Sequence, residues 1–468
     1  MSIFLKKKSF LLENCLESTG NVIYGLTRHF AQQVVHPFKI TSKANIERHK
    51  AFVNRVNIEN QHEVLADMIT PCWKMSYEEE LDYKQKMCAE TLEYLFYKLS
   101  RRKEDVQGVM KRIVPSPSRD CYRNKNEFNI WMGVDGNPKT VGYFIGIPAA
   151  GKVVSVPANN LKCIKESHTE LAKIYQDLVS SSPLAASYQL FDGGFWRSLI
   201  VRSNDKGDHQ AFIITHPSTL TPDQITEQQE IMAEHFKRHS PETSLFHQSC
   251  PHVKCPREVA KIHNLRGEPF MYETLAGLQF RISPDSFFQI NKPAAEIMYD
   301  IALGMAKPKH FTTLLDLYCG TGGISLLASG HVRGSVGVEQ VTAAVEDAKH
   351  NANINNITNC TFVAGKVEMK LAKILSELEY SSDIVAIVNP GRAGASEGVI
   401  SMLRKNQQIR RVVYISCRPD NPLTMKNFVQ LCEVMGSTSR PYILKTAVPV
   451  DLFPYTNSYE LVLCFDKT

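Results

Sequence analysis

Two side chains near the C-terminal end of the chain have the chemistry of a nucleophile and an acid–base group. Cys417 follows the apolar segment 411–415, which predicts a buried strand, and Arg418 comes directly after it. The thiolate is the reactive form of cysteine, and an adjacent cation favours it. Glu460 lies further along the chain. We expect Cys417 to attack a substrate and Glu460 to accept a proton from it, although a lone cysteine at a strand end is also compatible with simple packing.

A glycine-rich turn upstream of this pair predicts a cofactor site. The apolar segment 314–318 predicts a buried strand, and residues 319–323 predict a tight turn into a helix, in which Gly320 lets the backbone approach a ligand. Glu339 ends the next predicted strand, 23 residues after Asp316, a placement that suits two ribose hydroxyls. The turn lacks the G-x-G-x-x-G fingerprint for a pyrophosphate, so we expect S-adenosylmethionine rather than NAD.

Two further strands are predicted to place their following loops beside the same ligand. The segment 361–364 leads into residues 365–368, where the adenine is expected, and the segment 384–388 leads into Asn389. Because loops at the carboxyl ends of strands line the crevice of an open parallel sheet, Asn389 is expected to face the reacting groups. The regular alternation of strands and helices predicts a doubly wound, Rossmann-like α/β domain.

Hydrophobic patterning divides the chain into three regions. We predict a basic leader and linker in residues 1–70, a mixed α/β domain in residues 71–290 and the Rossmann-like domain in residues 291–468. Ser76 and Glu79 form a capping box at the start of a long amphipathic helix, whose apolar stripe indicates core packing. The strands predicted in the middle region are 127–132, 140–147, 195–202, 210–216 and 275–282.

The composition is that of an ordinary globular protein and excludes several classes. With 468 residues, 43% of them hydrophobic, the chain is long enough for two or three domains. No run reaches the roughly 18 apolar residues that cross a bilayer, so no membrane span is expected. Twelve scattered cysteines form no disulfide framework, which favours a reducing compartment.

The net charge of +6 is concentrated at the N-terminus. Residues 1–50 hold eight Lys or Arg and three Asp or Glu, and no acid precedes Glu13. This pattern is compatible with a mitochondrial transit segment and also with a solvated tail that contacts RNA phosphates. We expect a mitochondrial location, with the cytoplasm or nucleus as the alternative.

One group of residues has the types of side chain that bind zinc. Cys250 and Cys255 lie close in sequence to His247 and His252, but a matching second pair is missing and the loop is polar. Structural zinc sites need four ligands at characteristic spacing. We therefore expect no structural metal.

Several motifs occur in an order that resembles a known family, the RNA uracil-5-methyltransferases. The resemblance covers about residues 70–468. The motifs that carry it are the segments 122–128 and 283–291, the turn 316–323, Glu339, the loop 389–394, the segment 416–419 and the segment 450–460. It implies a class I methyltransferase domain preceded by an RNA-binding domain, with S-adenosylmethionine as methyl donor.

The resemblance also implies roles for individual residues. Gln289 is expected to contact both the cofactor and the target base, while Tyr318, with Gly320, Glu339 and Asn389, completes the cofactor site. Arg392 is expected to contact the RNA. Upstream, Arg123 and Lys125 are expected to contact phosphates. The implied substrate is tRNA, at the uridine of the T-loop, and small-subunit rRNA of the mitochondrion is a further possibility.

One position departs from the family. The family usually has Asp-Pro-Pro-Arg where this chain has Asn389-Pro390-Gly391-Arg392. Asparagine keeps an acceptor but loses the negative charge, which is expected to weaken interaction with the methyl sulfonium. The vertebrate mitochondrial branch resembles this Asn-Pro-x-Arg form, which agrees with the expected location.

Two rival functions remain open from the sequence. The first rival is an enzyme that methylates an exocyclic amine, because Asn389-Pro390 resembles the loop with which such enzymes hold the amine. Those loops carry an aromatic residue where this chain has Arg392, and the reaction needs neither Cys417 nor Glu460. An RNA chaperone that keeps the fold with weakened activity is the second rival. The identity of Cys417 and Glu460 alone does not separate it from an enzyme.

Overall fold

The protein is described from a computed structural model that covers residues 43–147, 151–188, 193–218, 220–251, 260–378, 383–434 and 440–468. Most of the predicted basic leader therefore lies outside the described residues. The helices are α1 (Lys43–Arg55), α2 (Gln61–Ile69), α3 (Tyr77–Lys98), α4 (Val106–Val109), α5 (Glu166–Ser181), α6 (Pro222–His239), α7 (Lys292–Ala306), α8 (Gly323–Ala328), α9 (Thr342–Ile354), α10 (Val367–Glu377), α11 (Glu397–Lys405) and α12 (Pro422–Cys432).

The strands form two large sheets and one hairpin. Their bounds are β1 (Lys125–Trp131), β2 (Thr140–Ile147), β3 (Lys152–Val156), β4 (Trp196–Ser203), β5 (His209–Thr215), β6 (Ser244–Ser249), β7 (Ile262–Arg266), β8 (Met271–Leu275), β9 (Leu278–Ile282), β10 (Thr312–Leu317), β11 (Gly334–Glu339), β12 (Cys360–Ala364), β13 (Asp383–Val388), β14 (Ile409–Ser416), β15 (Tyr442–Val450) and β16 (Glu460–Lys467).

The first sheet lies in the middle region of the chain and confirms a mixed α/β arrangement there. Its strand order is β3-β2-β1-β4-β5-β6-β7, with antiparallel pairs except for the parallel pair β5 and β6. Apolar side chains of α2, α5 and α6 pack on it around the buried Trp196 and Tyr175. Four of the five strands predicted for this region correspond to β1, β2, β4 and β5 within two residues.

The fifth predicted strand, 275–282, is wrong as a single element. Leu275 pairs with Leu278 across a two-residue turn, so the segment is part of the hairpin β8–β9. Ala276 and Gly277 both have positive φ, 47° and 83°. That backbone matches the tight turns that connect twisted antiparallel strands, and it cannot continue a strand.

The second sheet confirms the predicted doubly wound domain. Its order is β12-β11-β10-β13-β14-β16-β15, parallel from β12 to β14 and antiparallel at the last two strands. The helices α3, α10, α11 and α12 cover one face, while α7, α8 and α9 cover the other. Burial on both faces explains the continuous apolar runs from which these strands were predicted.

Helix α3 begins as predicted from its capping box. The Ser76 hydroxyl accepts from the Glu79 amide at 3.2 Å, and the Glu79 carboxylate accepts from the Ser76 amide at 2.8 Å. The apolar stripe of the helix, which includes Leu92 and Phe96, packs on the second sheet rather than the first. The domain boundaries at residues 70 and 290 stay predictions, since residues on both sides of them share cores.

The structure bears on membrane spans and metal sites only through the residues that it describes. Within them, no helix is long and apolar enough to cross a membrane. In the same residues no three His, Cys, Asp or Glu side chains come together as they would around a metal ion. His252 and Cys255, from the weak zinc pattern, lie outside the described residues.

Candidate active site

The glycine-rich turn between β10 and α8 adopts a conformation that leaves space for a ligand. Tyr318, Gly320 and Gly322 have positive φ of 68°, 54° and 88°. A Cβ at Gly322 would lie 3.0 Å from the Phe362 ring, so glycine is needed there for close packing. By contrast, nothing lies within 4 Å of a Cβ built at Gly320. The turn is therefore packed on one side and open on the other.

Glu339 is fixed beside this turn by the backbone. One carboxylate oxygen accepts from the Gly320 amide at 3.1 Å and the other from the Val341 amide at 2.9 Å. Each oxygen can accept a second bond, because a carboxylate oxygen has two lone pairs. Glu339 thus lies where the sequence predicted it, oriented to accept hydroxyl donors beside the open side of the turn.

Asp316 has a buried oxygen that lacks a partner. Its Oδ2 accepts from both the amide and the hydroxyl of Ser325, at 3.0 and 2.8 Å. Its Oδ1 has no hydrogen-bond partner among the described residues. Burial raises the pKa of this carboxyl to about 6. A buried acceptor without a donor fits a cationic or N–H-bearing group of a bound cofactor, since native interiors rarely leave such atoms unpaired.

A cavity next to the turn collects most of the predicted cofactor residues. Gln289, Tyr318, Gly320 and Asn389 all line it. The remaining lining residues are Leu275, Phe287, Phe288, Tyr299, Cys319, Thr321 and Gly323. The cavity lies at the carboxyl ends of β10 and β13, as expected for ligands of doubly wound sheets.

Tyr299 belongs to this site, and sequence reasoning missed it. It lies on α7, is buried, lines the cavity and is within hydrogen-bond reach of the Gln289 side chain. Asp316 and Glu460 are close enough to act on its hydroxyl electrostatically. A tyrosine on an amphipathic helix is usually core packing, so no local signal distinguishes it.

Cys417 and Glu460 are brought together by strand pairing. Strands β14 and β16 are antiparallel, and their last registered pair is Ser416 with Leu461. Continuing this register by one position sets Cys417 opposite Glu460, at the same edge of the sheet as the cofactor cavity. The negative charge of Glu460 acts on the Cys417 thiol, which shows that the two groups are close.

Burial controls the protonation of both groups. Burial, followed by the charge of Glu460, raises the pKa of the Cys417 thiol to about 11, although Arg392 and Arg418 act in the opposite direction. Arg418 thus lowers the thiol pKa, in the direction predicted from the sequence, but burial and the charge of Glu460 outweigh it. The Arg418 guanidinium also donates to Asp420 at 3.2 Å. Burial alone raises the pKa of the Glu460 carboxyl to about 8.

The predicted RNA-contacting residues lie in two different places. Arg392 is exposed on the loop after β13 and acts electrostatically on Cys417. Arg123 is half-buried and donates to Asn126 at 3.0 Å, and Lys125 is half-buried in β1 of the first sheet. The hydrogen bond of Arg123 within the fold favours a structural role over a phosphate contact, and both phosphate contacts stay predictions.

Comparisons with known proteins identify the family to which the sequence is similar. The sequence profile of a family described as tRNA (uracil-5-)-methyltransferase matches residues 274–468. The chain is 38% identical to tRNA (uracil-5-)-methyltransferase homolog B of Danio rerio, over 86% of this chain and 87% of that protein. Identity to homolog B of Homo sapiens is also 38%, over 86% and 84% of the two chains. Homolog A of Homo sapiens is 34% identical over 86% of this chain and 67% of its own.

A solved structure is similar in fold over most of the chain. It is the tRNA (uracil-54, C5)-methyltransferase of Pyrococcus abyssi in complex with S-adenosyl-L-homocysteine, with a TM-score of 0.59 and 20% identity. The similarity covers 83% of each chain. At this identity it supports the shared fold.

Proposed function

This chain belongs to the tRNA (uracil-5-)-methyltransferase family, and on that premise we propose that it methylates carbon 5 of a tRNA uridine through a covalent bond between Cys417 and the base. It is an S-adenosylmethionine-dependent methyltransferase. The observation that carries the covalent mechanism is the strand register, which sets Cys417 opposite Glu460 beside the cofactor cavity.

Uracil needs both residues because its carbon 5 is a poor nucleophile. Addition of the Cys417 thiolate to carbon 6 breaks the carbon 5–carbon 6 double bond and makes carbon 5 an enolate carbon. Carbon 5 then takes the methyl group. The Glu460 carboxylate removes the remaining carbon 5 proton, the double bond forms again, and the thiolate leaves from carbon 6. Covalent catalysis thus replaces one difficult step by easier ones.

The pKa values of the two groups determine which of them ionises first as pH rises. With a pKa of about 8 the Glu460 carboxyl loses its proton before the Cys417 thiol, whose pKa is about 11. A raised pKa makes the carboxylate a stronger base for a carbon-bound proton than an exposed glutamate. Thiolate formation then needs positive charge near Cys417. Arg392 is one such charge, and it already lowers the thiol pKa.

The residues that line the cavity and those beside the glycine-rich turn fit the methyl donor. S-adenosylmethionine supplies the methyl group as a carbon bound to a positive sulfur. Glu339 would accept its ribose hydroxyls, the unpaired Oδ1 of Asp316 would face a positive or N–H-bearing group, and Tyr318 and Asn389 would line its other sides. Asn389 would contribute an amide where the family usually has a carboxylate.

We propose the T-loop uridine of tRNA as the target and the mitochondrion as the location, with mitochondrial small-subunit rRNA as a second substrate. The target is supported by the similar fold of the Pyrococcus abyssi protein, a tRNA (uracil-54, C5)-methyltransferase. The basic N-terminal residues and the Asn389 form of the loop support the location. Mapping 5-methyluridine in organellar and cytosolic RNA from cells that lack the protein tests this: a loss confined to cytosolic RNA would contradict it.

The covalent mechanism is tested with tRNA that carries 5-fluorouridine at the target. After methylation, carbon 5 of this base has no removable proton, so the enzyme should stall as an adduct through Cys417. We expect a denaturant-resistant, cofactor-dependent complex with the wild type and none with Cys417→Ser, because a hydroxyl is a far weaker nucleophile. Absence of the complex with the wild type would contradict the mechanism and favour the RNA-chaperone alternative.

A further inference from the structure

The segment that leads to Glu460 is held at its main chain. Residues 451–459, here called the base loop, connect β15 to β16 and end directly before Glu460. Four consecutive carbonyls of the loop accept hydrogen bonds from side chains or amides of distant segments. The donors are Asn291 to Leu452 at 3.0 Å, Lys84 to Phe453 at 3.1 Å, Tyr122 to Pro454 at 3.1 Å and the Cys72 amide to Tyr455 at 3.0 Å.

One face of helix α3 makes contacts along the base loop. The Tyr77 hydroxyl donates to Asp451 at 3.0 Å, and Glu80 accepts from the Tyr455 amide at 2.6 Å. One turn further, Lys84 donates to Asp451. These residues are three or four positions apart and therefore share a face of the helix. Towards the other end of the loop, Thr91 of the same helix lies 3.4 Å from the hydroxyl of Tyr459, the neighbour of Glu460.

Lys84 is the centre of this arrangement. Its ammonium group is buried and lies 2.6 Å from Asp451 and 2.7 Å from Glu80, and both of those carboxylates are buried too. Arg119 balances the second carboxylate at 3.1 Å from Glu80. A buried ion cluster rarely stabilises a fold more than apolar side chains of the same volume would. Here the ion cluster holds the base loop in position, through the bonds of Lys84 to Asp451 and to the Phe453 carbonyl.

We propose that Lys84 is a positioning residue for proton removal, holding the base loop so that Glu460 stands opposite Cys417. The proposal rests on the proposed function, in which Glu460 accepts the carbon 5 proton. Lys84 does not touch the reacting atoms. Its effect passes through Asp451 and Phe453 at one end of the loop to Glu460 at the other, with Thr91 fixing the far end. A displacement of the Glu460 carboxylate by about 1 Å is enough to slow proton removal about 10²-fold.

The test separates the formation of the covalent adduct between Cys417 and the uracil from the release of that adduct. Rapid-quench experiments with tRNA and S-adenosylmethionine measure how fast the covalent adduct forms and how fast it resolves. For Lys84→Met we expect adduct formation within about threefold of the wild type and release slowed about tenfold or more, so that the adduct accumulates. The matched control is Lys86→Met, the same substitution at an exposed position of the same helix, which should behave as the wild type.

A second variant keeps the test informative if Lys84→Met does not fold. Tyr77→Phe leaves the charges of the cluster in place and removes the hydroxyl, which donates to Asp451 and accepts from the Ser116 amide at 2.7 Å. Folding of each variant is checked by circular dichroism and by S-adenosylmethionine binding, since no residue of the base loop lines the cofactor cavity. We expect Tyr77→Phe to slow release by severalfold without a matching effect on adduct formation.

The outcomes distinguish this proposal from the one on which it rests. If the wild type forms no adduct, the proposed function fails and this proposal fails with it. If the wild type forms the adduct and folded Lys84→Met, or Tyr77→Phe in its place, releases it at the wild-type rate, the positioning role is overturned while the proposed function stands. Equal slowing of adduct formation and release would likewise overturn it, because a merely structural defect lowers both.

Discussion

Asp451, which begins the base loop, and Glu460, which follows it directly, are buried carboxylates that differ in their charged neighbours. Asp451 at one end is ion-paired with Lys84 and bonded to Tyr77. Glu460 at the other end has no ion pair within the described part of the chain, and burial alone raises its pKa to about 8. The two acids are of similar burial, so burial does not distinguish them. The difference indicates that the ion-paired Asp451 fixes the position of the loop and that Glu460, which has no such pair, is the reactive carboxyl.

The largest expected effects concern stability, and they have opposite signs at the two ends. Lys84→Met leaves two buried carboxylates with one cation and should lower the free energy of unfolding by about 3–5 kcal/mol. Glu460→Gln should raise it at alkaline pH. The folded-state pKa of Glu460 is raised from 4.5 to about 8, so the protonated form is favoured by folding and the wild type loses stability as pH rises through that interval.

The gain from Glu460→Gln therefore depends on pH. It should be absent below about pH 4.5, grow by about 1.36 kcal/mol per pH unit as pH rises, and level off above pH 8 at a few kcal/mol. Urea titrations of both proteins at pH 6 and pH 9 measure it. A gain that is the same at both pH values would mean that Glu460 is ionised in the folded protein throughout.

A smaller effect is expected at the cofactor site, where backbone amides hold Glu339. Glu339→Ala should weaken S-adenosylmethionine binding by about 1.5–3 kcal/mol for each charge-assisted hydrogen bond lost. Calorimetry on the purified protein measures the affinity, with Glu346→Ala on the exposed side of α9 as control. Unchanged affinity in Glu339→Ala would remove this residue from the site.

The smallest effect is expected at Asn389. Asn389→Asp restores the residue usual in the family and should keep methyl transfer at the wild-type rate or raise it by less than about tenfold, about 1.4 kcal/mol in the barrier. The fold should be unaffected, because Asn389 lines a cavity and the backbone N–H of residue 389 still donates to the Leu317 carbonyl. Single-turnover methylation measures the rate. A collapse of activity would show that this chain depends on the neutral amide.

Local sequence signals predicted the elements that carry the site but not the charges around it. The capping box of Ser76, the glycine turn and Glu339 depend on neighbours in sequence, and each was predicted correctly in place. Lys84 lies on a helix between Tyr83 and Gln85, neither of which is buried, and its partner Asp451 is 367 residues away. Nothing local indicates that it is buried. The same limit applies to Cys417, because only the fold determines the burial that raises its pKa against the effect of Arg418.

The segment 275–282 shows a different limit. Its alternating apolar residues suit one strand as well as two, and the two-residue turn at Ala276 and Gly277 decides between them. Gly277 is the only strong turn residue there, since alanine seldom adopts positive φ. Pairing with the second strand stabilises Ala276 in that conformation.

The most direct test of the contrast between Asp451 and Glu460 is the composition of the complex that Glu460→Gln forms with ordinary tRNA. If Glu460 is the proton acceptor, this variant still attacks and methylates the uracil, but release slows by about 10²–10⁴-fold, the usual effect of losing a general base. With radiolabelled methyl donor, we predict a denaturant-resistant complex that holds one methyl group per tRNA and disappears in Cys417→Ser/Glu460→Gln. Normal release of 5-methyluridine by Glu460→Gln, or a trapped complex without the label, would contradict the account.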